Sequence, residues 1–270
     1  MKYFIDTEFI EGKQRLRKTW FEALTTVKKL TEPTIDLISI GIVAEDGREY
    51  YAISKDFNLN EAWFRYDEVK VTCPIEGTDS GITKKVYWLR DNVLKPIYLD
   101  LLSRETGYNF KDSEAYKKLL RLGSFELKQL KWLLKKYGKS NNTIAEEIKH
   151  FCLYSVKTYK FFGGKYVGGV DPYENTNEFY GYYADYDWVV FCWLFGNMND
   201  LPSGFPMYCR DLKQMLDTAI NNIPKYGNYT FEESMKIVKN YSNYPRQTNE
   251  HNALADARWN FELYKFLKQL

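Results

Sequence analysis

The sequence predicts an α/β fold in which strands and helices form layers around one core, with helical insertions added to it. Antiparallel strands open the chain, helical patterns fill its middle, and strand and helix alternate toward the end. Of the 270 residues, 44% are hydrophobic and 17% are aromatic. That apolar content argues against a disordered chain, because it can bury enough surface to offset the entropy of folding.

The first strands are the clearest local signal. Residues 2–7 are apolar up to Asp6, and residues 35–44 form the most strongly β-prone stretch of the chain. Asp46 and Gly47 then predict a tight hairpin turn, with residues 49–54 as the returning strand.

The middle of the chain is mostly helical. Thr143 and Glu146 have the spacing of a capping box, which predicts a helix from Thr143 to about residue 154. Upstream, residues 127–137 place leucines on one helical face and lysines on another. Residues 66–86 are polar and predict a loop, whereas 161–164 and 170–172 suggest a strand and a turn.

Strand and helix alternate in the last third. Residues 177–184 are aromatic and β-prone, and Asp185 is expected to cap a helix over 186–195. A short strand over 207–210 leads into a helix from Asp211, and the last helix is predicted over 252–267.

Positive charge is concentrated in two stretches, although the net charge is only +2. Residues 12–31 hold six Lys or Arg and one Glu, and residues 112–139 hold eight Lys or Arg and three acids. Each stretch is either a solvated helix face or part of an electrostatic funnel for a polyanion. The 23 Tyr and 17 Phe exceed what a core needs, so some rings should be exposed, either as ordinary surface or to stack on bases.

The cysteines predict a reducing compartment. The four (Cys73, Cys152, Cys192 and Cys209) form no C-x-x-C pair, so a disulfide framework or zinc site is not expected. The chain begins directly with a strand, and no apolar stretch is long enough to span a bilayer. We therefore expect a soluble, cytoplasmic protein that has no membrane partner.

Asp6 and Glu8 are the first candidates for chemistry. Side chains alternate across a strand, so both carboxylates should project to one face. Two adjacent carboxylates repel each other unless a cation neutralises them, and a hard divalent metal prefers oxygen ligands. A lone D-x-E triplet is nevertheless common, and it often marks only a solvated strand end.

His251 and Asp256 begin the last helix. Five residues of helix turn through about 500°, so the two side chains would not share a face if both were helical. The spacing makes sense if His251 lies in the preceding loop and Asp256 one turn into the helix. A histidine there could accept a proton from water near neutral pH, although it could also be a surface residue. The other histidine, His150, lies in an amphipathic helix and is interpreted as structural.

Asp187 lies where the aromatic strand meets the following helix. Its negative charge favours a helix N-terminus, so Asp185 and Asp187 could simply cap the helix. Asp187 is the better ligand candidate because it lies further into the helix than Asp185, but the choice between the two stays open.

Together these segments resemble the DEDDh exonucleases, the group that contains ribonuclease T, oligoribonuclease and proofreading exonucleases. The order is Asp-x-Glu on the first strand, Tyr-Asp after a later strand, and His-x4-Asp at the last helix. The sequences of these segments most resemble the small bacterial and phage 3′-5′ exoribonuclease-like branch. The segments that carry the likeness are 4–9, 35–43, 88–94, 182–189 and 251–256.

The resemblance implies a ribonuclease-H-like exonuclease fold, with a central mixed sheet flanked by helices. Residues 1–270 would form a single exonuclease domain with insertions at about 12–31, 66–86 and 100–139. Asp6, Glu8, Asp187 and Asp256 would hold two divalent cations, Mg²⁺ or Mn²⁺, with His251 as general base. Asp6 would bridge both cations, and Phe9 and the backbone of Thr7 would contact the terminal nucleotide. The family's Asn before its second acid is not obvious here, and Tyr183 stands at that spacing.

The expected activity is metal-dependent 3′-to-5′ hydrolysis that releases nucleoside 5′-monophosphates from single-stranded ends, with RNA favoured over DNA. A DNA-directed 3′-5′ exonuclease and a catalytically silent nucleic-acid-binding protein of the same fold are the alternatives. A ribonuclease-H-type endonuclease is disfavoured by the His-x4-Asp ending. Homodimers are common among members of the family, and the sequence leaves this point open.

Overall fold

The structure is a computed structural model that describes residues 1–15, 30–72, 79–107, 125–153, 160–162, 165–167, 177–222 and 229–270. Most of the basic stretch 12–31, part of the stretch 112–139, Cys73 and the turn expected at 170–172 lie outside the described residues. The chain divides into two compact units. The first comprises Met1–Glu8, Ser39–Ser54 and Lys139–Leu270, and the second comprises Phe9–Ile38 and Lys55–Gly138.

A five-stranded mixed sheet is the main structural feature. Its strands are β1 (Lys2–Gly12), β2 (Thr34–Ala44), β3 (Glu49–Ile53), β8 (Glu178–Gly181) and β9 (Arg210–Asp211). Their order across the sheet is β3-β2-β1-β8-β9. The β2–β3 pair is antiparallel, and Gly47 in its turn has a φ of +87°, as the predicted hairpin requires. The β1–β8 and β8–β9 pairs are parallel, so the predicted mixed sheet is confirmed.

Among the described residues of the first unit, five helices accompany this sheet. They are α4 (Asn141–Leu153), α5 (Asp185–Leu194), α6 (Leu212–Asn222), α7 (Phe231–Lys239) and α8 (Ala253–Leu267). A 3₁₀ turn spans Met198–Asp200, and a separate two-stranded ribbon is formed by β6 (Lys160–Phe162) and β7 (Lys165–Val167).

Neighbouring side chains of β1 lead into two aromatic clusters on opposite faces of the sheet. Phe4 stacks on Tyr180 at 5.4 Å between ring centroids and joins the core formed by α6, α7 and α8. Tyr3 stacks on Phe179 at 5.3 Å, and Phe179 in turn contacts Phe191 of α5. Because successive residues of a strand point to opposite faces, this alternation buries the sheet between helices on both sides. The predicted α/β class is therefore confirmed.

The second unit contains α1 (Leu59–Phe64), β4 (Asp67–Thr72), β5 (Asp79–Val86), a π-helical segment (Leu89–Leu94), α2 (Lys95–Thr106) and α3 (Leu127–Tyr137). Within it, the buried Glu61 carboxylate is paired with Arg15 and Arg65, at 3.2 Å each. The predicted helix over 127–137 is confirmed, with Leu130 and Leu134 buried and its lysine face exposed.

The strand predicted over 207–210 is shorter and lies at Arg210–Asp211. The predictions for residues 66–86 and for the start of α4 were wrong. The described residues of the range 66–86 do not form a loop, since β4 and β5 pair antiparallel and place Glu68 opposite Lys85. Most described side chains of this ribbon are exposed, and the apolar alternation of β4 is limited to Val69 and Val71 among charged and polar residues, which is a weak strand signal. Helix α4 begins at Asn141 rather than Thr143, because the Ser140 hydroxyl accepts the Thr143 N–H at 3.1 Å and takes the expected capping role.

Cys152 and Cys192 are buried and Cys209 is partly exposed, all three as free thiols. Among the described residues, none of the helices combines the length and the apolar character that crossing a bilayer requires.

Candidate metal centre

Three predicted carboxylates meet in the first unit. One oxygen each of Asp6, Glu8 and Asp256 lies within 4.8 Å of the others. Asp6 is partly exposed, whereas Glu8 and Asp256 are buried. The strand register and the last helix therefore bring together residues 250 positions apart. Within the described part of the chain, this is the one such group of acidic, histidine or cysteine side chains.

Asp187 is attached to the same strand through Thr7, the residue between Asp6 and Glu8. Its Oδ1 accepts the Thr7 backbone N–H at 2.8 Å and the Thr7 hydroxyl at 2.6 Å. Asp187 lies in the first turn of α5 and is buried, with 7% of its surface exposed. It is not one of the three clustered acids, but its charge raises the pKa of both Asp6 and Glu8.

Asp185 is exposed, and the prediction that it caps the helix was wrong. Helix α5 begins at Asp185, and its N-cap residue is Ala184, which makes no side-chain cap bond. The Ala184 backbone N–H donates instead to Asp211 Oδ2 at 2.9 Å, an acceptor from another segment that a local motif cannot reveal.

His251 lies in the loop before α8, as its spacing from Asp256 predicted. Its backbone φ is +66°, and its N–H donates to Asp256 Oδ2 at 2.9 Å. Asn252 is the N-cap, and its Oδ1 accepts the Ala255 N–H at 3.0 Å. The left-handed conformation costs a non-glycine residue about 1–2 kcal/mol, which the charge-assisted bond to Asp256 helps to offset. Asp256 therefore fixes the loop that carries the histidine.

Gly41 of β2 allows the start of α8 to approach the sheet. A Cβ at this position would lie 2.2 Å from the Ala253 carbonyl oxygen, a distance that no real side chain tolerates. A second contact connects the helix to β1, because Asn260 Nδ2 donates to the Ile5 carbonyl at 2.8 Å. This backbone contact and this hydrogen bond place Asp256 beside Asp6.

The four carboxylates do not ionise independently. Burial, followed by the charges of Asp187, Glu8 and Asp256, raises the pKa of Asp6 well above its usual range. Burial and the charges of Asp256 and Asp187 raise the pKa of Glu8 to about 8. Burial raises the pKa of Asp187 to about 6, although the two hydrogen bonds from Thr7 lower it. Burial also raises the pKa of Asp256.

Such a cluster binds protons or a cation, because its negative charges cannot share a buried site unneutralised. The donors are all carboxylate oxygens, which suit a hard divalent ion such as Mg²⁺ or Mn²⁺. The residues present therefore fit the metal chemistry expected of them.

Sequence reasoning missed Gln247, whose Nε2 donates to Asp256 Oδ1 at 2.6 Å. No motif includes this loop residue, which lies four positions before His251. No role was predicted for Gly41 or Asn260 either, because their partners lie far away in the chain. Tyr183, at the spacing of the family's Asn, is 64% exposed with a φ of +55°.

Thr7 and Phe9, the two residues predicted to contact a nucleotide, both lie on β1. Phe9 is partly buried on β1, and Thr7 uses both its N–H and its hydroxyl on Asp187. Contact of either residue with a nucleotide stays a prediction. His150 is an exposed residue of α4.

Fold and cluster together define an α/β protein with an acidic site able to hold a divalent cation. No family model matches the chain. A segment of 67 residues is 46% identical to two proteins of Mycobacterium tuberculosis, each named a 3′-5′ exoribonuclease, from strains CDC 1551 / Oshkosh and H37Rv. The segment is 24% of this chain and 29% of each relative, so the chain matches less than a third of the length of those proteins.

Proposed function

We propose that this protein is a metal-dependent 3′-to-5′ exonuclease of the DEDDh type. It releases nucleoside 5′-monophosphates from single-stranded 3′ ends and favours RNA over DNA. The observation that carries the proposal is the convergence of Asp6, Glu8 and Asp256, with Asp187 anchored beside them through Thr7. The 67-residue likeness to proteins named 3′-5′ exoribonucleases supports the same activity and is the reason for favouring RNA.

Asp6, Glu8, Asp187 and Asp256 are the residues that would hold two divalent cations, Mg²⁺ or Mn²⁺. When bound, such cations make a water more acidic and stabilise negative charge on the reacting phosphate and the leaving 3′-oxygen. Hydrogen bonds within the protein orient two of these four carboxylates. Thr7 orients Asp187, and Gln247 together with the His251 backbone orients Asp256.

His251 has the role of general base. The hydrogen bond from its backbone to Asp256 ties the imidazole-bearing loop to one of the proposed metal ligands. An imidazole is suited to accept the proton of the attacking water near neutral pH. This hydrogen bond supports the proposal, because it joins the loop of the proposed base to a proposed metal ligand in the first turn of the same helix.

The decisive experiment compares RNA and DNA single strands of matched sequence, labelled at the 3′ end, with Mg²⁺, with Mn²⁺ and with a chelator. We expect labelled mononucleotides as the first product, formed faster from RNA and only when metal is present. The Asp6→Asn protein should fold normally and release none. A 3′-blocked strand should stay intact.

Three results would reject the proposal or a part of it. Cleavage of the blocked strand would identify an endonuclease. Tight binding without metal-dependent cleavage would indicate the silent binding protein of the same fold. A faster reaction on DNA would reverse the substrate preference and leave the mechanism in place.

A further inference from the structure

A cleft of about 230 Å³ lies within the first unit, and one of its lining residues, Gln247, is hydrogen-bonded to Asp256. Its lining includes three aromatic rings, two cations and one amide, which belong to Tyr182, Tyr244, Trp259, Lys239, Arg246 and Gln247. Neither the motifs nor the proposed catalytic roles use this combination.

The aromatic wall is fixed before any ligand arrives. Trp259 meets Tyr182 edge to face, with ring centroids 5.0 Å apart and planes at 80°. The indole N–H donates to the Pro245 carbonyl at 3.1 Å, so the polar atom of the ring is already satisfied. Tyr244 is buried and packs against Phe266. Held in this way, the rings can receive a flat ligand at little cost in side-chain entropy.

Neither cation of the cleft is paired with a carboxylate of the described residues. Lys239 ends helix α7 and Arg246 lies in the loop before α8, and both side chains are exposed. Within the described residues neither forms an ion pair, whereas Arg258, one position before Trp259, is paired with Glu49 at 2.6 Å. The cleft therefore presents two positive charges to an anion from outside.

Gln247 connects the cleft to the acidic cluster. Its side chain lines the cleft, while its Nε2 donates to Asp256 Oδ1 at 2.6 Å. A ligand in the cleft is thus separated from one of the proposed metal ligands by a single side chain. An extended strand with its reacting end at Asp256 could reach the cleft with a neighbouring nucleotide.

We propose that this cleft binds an unpaired nucleotide of the strand being degraded, adjacent to the one that is removed. The base contacts the aromatic wall and a backbone phosphate lies between Lys239 and Arg246. Aromatic stacking accepts any base, and a duplex would offer no free base face, so the site selects single strands without selecting sequence. This inference rests on the proposed exonuclease function and assigns it a second subsite.

The test compares two substrates that differ in whether they can fill the cleft. One is a nitrophenyl ester of a nucleoside 5′-monophosphate, which has no neighbouring nucleotide, and the other is a single-stranded octamer. For Lys239→Ala, Arg246→Ala and the double variant we expect the ratio of kcat/KM for the octamer to that for the ester to fall, by about tenfold in the double variant. Lys236→Ala, an exposed lysine of the same helix outside the cleft, is the matched control and should leave the ratio as it is.

Binding is measured separately, by fluorescence anisotropy of a labelled octamer in chelator at several salt concentrations. Each lost phosphate contact should lower the slope of log affinity against log salt by about 0.7. Trp259→Leu should weaken octamer binding more than Trp259→Phe, which keeps an aromatic ring.

The outcomes separate this inference from the function on which it rests. If the wild type degrades both substrates but the double variant keeps both the ratio and the salt slope, the second subsite is wrong and the exonuclease stands. If the wild type degrades neither substrate, the proposed function fails. In that case the anisotropy data still test the cleft by themselves. Unchanged octamer binding in the double variant would overturn the second subsite.

Discussion

Thr7 donates two hydrogen bonds to a single oxygen of Asp187, one from its backbone N–H at 2.8 Å and one from its hydroxyl at 2.6 Å. The two residues are 180 positions apart. Since Thr7 stands between Asp6 and Glu8, the strand that supplies two candidate ligands also orients a third. Hydrogen bonds to a buried carboxylate favour its charged form, which is the form that binds metal.

Replacing Thr7 with Val should remove the hydroxyl bond and leave the backbone bond in place. A hydrogen bond to a charged group contributes about 1.5–3 kcal/mol, so we expect activity to fall by roughly 10- to 100-fold at limiting Mg²⁺. Thr7→Ser keeps the hydroxyl and should retain most activity. Titration of the rate with Mg²⁺ measures the effect, and equal metal dependence in both variants would contradict it.

Asp187→Asn and Asp185→Asn form a matched pair two residues apart. Asp187 is buried and bound to Thr7, whereas Asp185 is exposed. We expect Asp187→Asn to reduce nucleotide release by at least about 100-fold, as loss of a metal ligand would. Asp185→Asn should change it less than twofold. The reverse pattern would identify Asp185 as the acid of the second motif.

His251→Ala should slow nucleotide release by about 100-fold or more at saturating metal, because a positioned general base contributes that much. His150→Ala is the control, since it removes the only other histidine, an exposed residue of α4. A purified His251→Ala protein with a near-normal rate would exclude this residue as the base.

Without divalent cations, the stability of the protein should fall as the pH rises from about 4 to about 8. The pKa values of Asp187 and Glu8 are raised to about 6 and about 8. The folded chain therefore binds more protons than the unfolded chain over this range, and each proton lost with rising pH lowers the free energy of unfolding.

Thermal unfolding in chelator between pH 5 and pH 8 measures this dependence. Glu8→Gln should flatten this dependence, whereas Glu146→Gln, at an exposed position, should not. Each kcal/mol corresponds to about 2–4 °C in Tm for a chain of this size class. Adding Mg²⁺ should raise Tm most at pH 8, where proton competition is weakest. A wild-type Tm that rises with pH in chelator would contradict the prediction.

Gly41→Ala should destabilise the protein and reduce its response to metal. The added Cβ would meet the Ala253 carbonyl at 2.2 Å, so the start of α8 must move away from β2. We expect a loss of about 1–3 kcal/mol, the usual cost of overpacking. Ser39→Ala, a buried site on the same strand, is the control. Calorimetry with and without Mg²⁺ measures both effects, and a wild-type Tm in Gly41→Ala would refute the packing argument.

The sequence by itself determined the features that depend on near neighbours. Strand periodicity predicted that Asp6 and Glu8 share a face, and the spacing of His251 and Asp256 predicted a loop histidine before a helical acid. The Asp46-Gly47 turn predicted the hairpin of β2 and β3. Each of these follows from backbone geometry within a few residues, which local sequence encodes.

Only the tertiary structure decided which residues meet across the chain. It buried Asp187 against Thr7 and left Asp185 exposed, and it brought Gln247 to Asp256 and Ala253 to Gly41. It also paired β4 with β5, whose described side chains are largely exposed and whose apolar alternation is limited to Val69 and Val71. Such contacts depend on the packing of distant segments, and a single sequence carries no periodic signal for them.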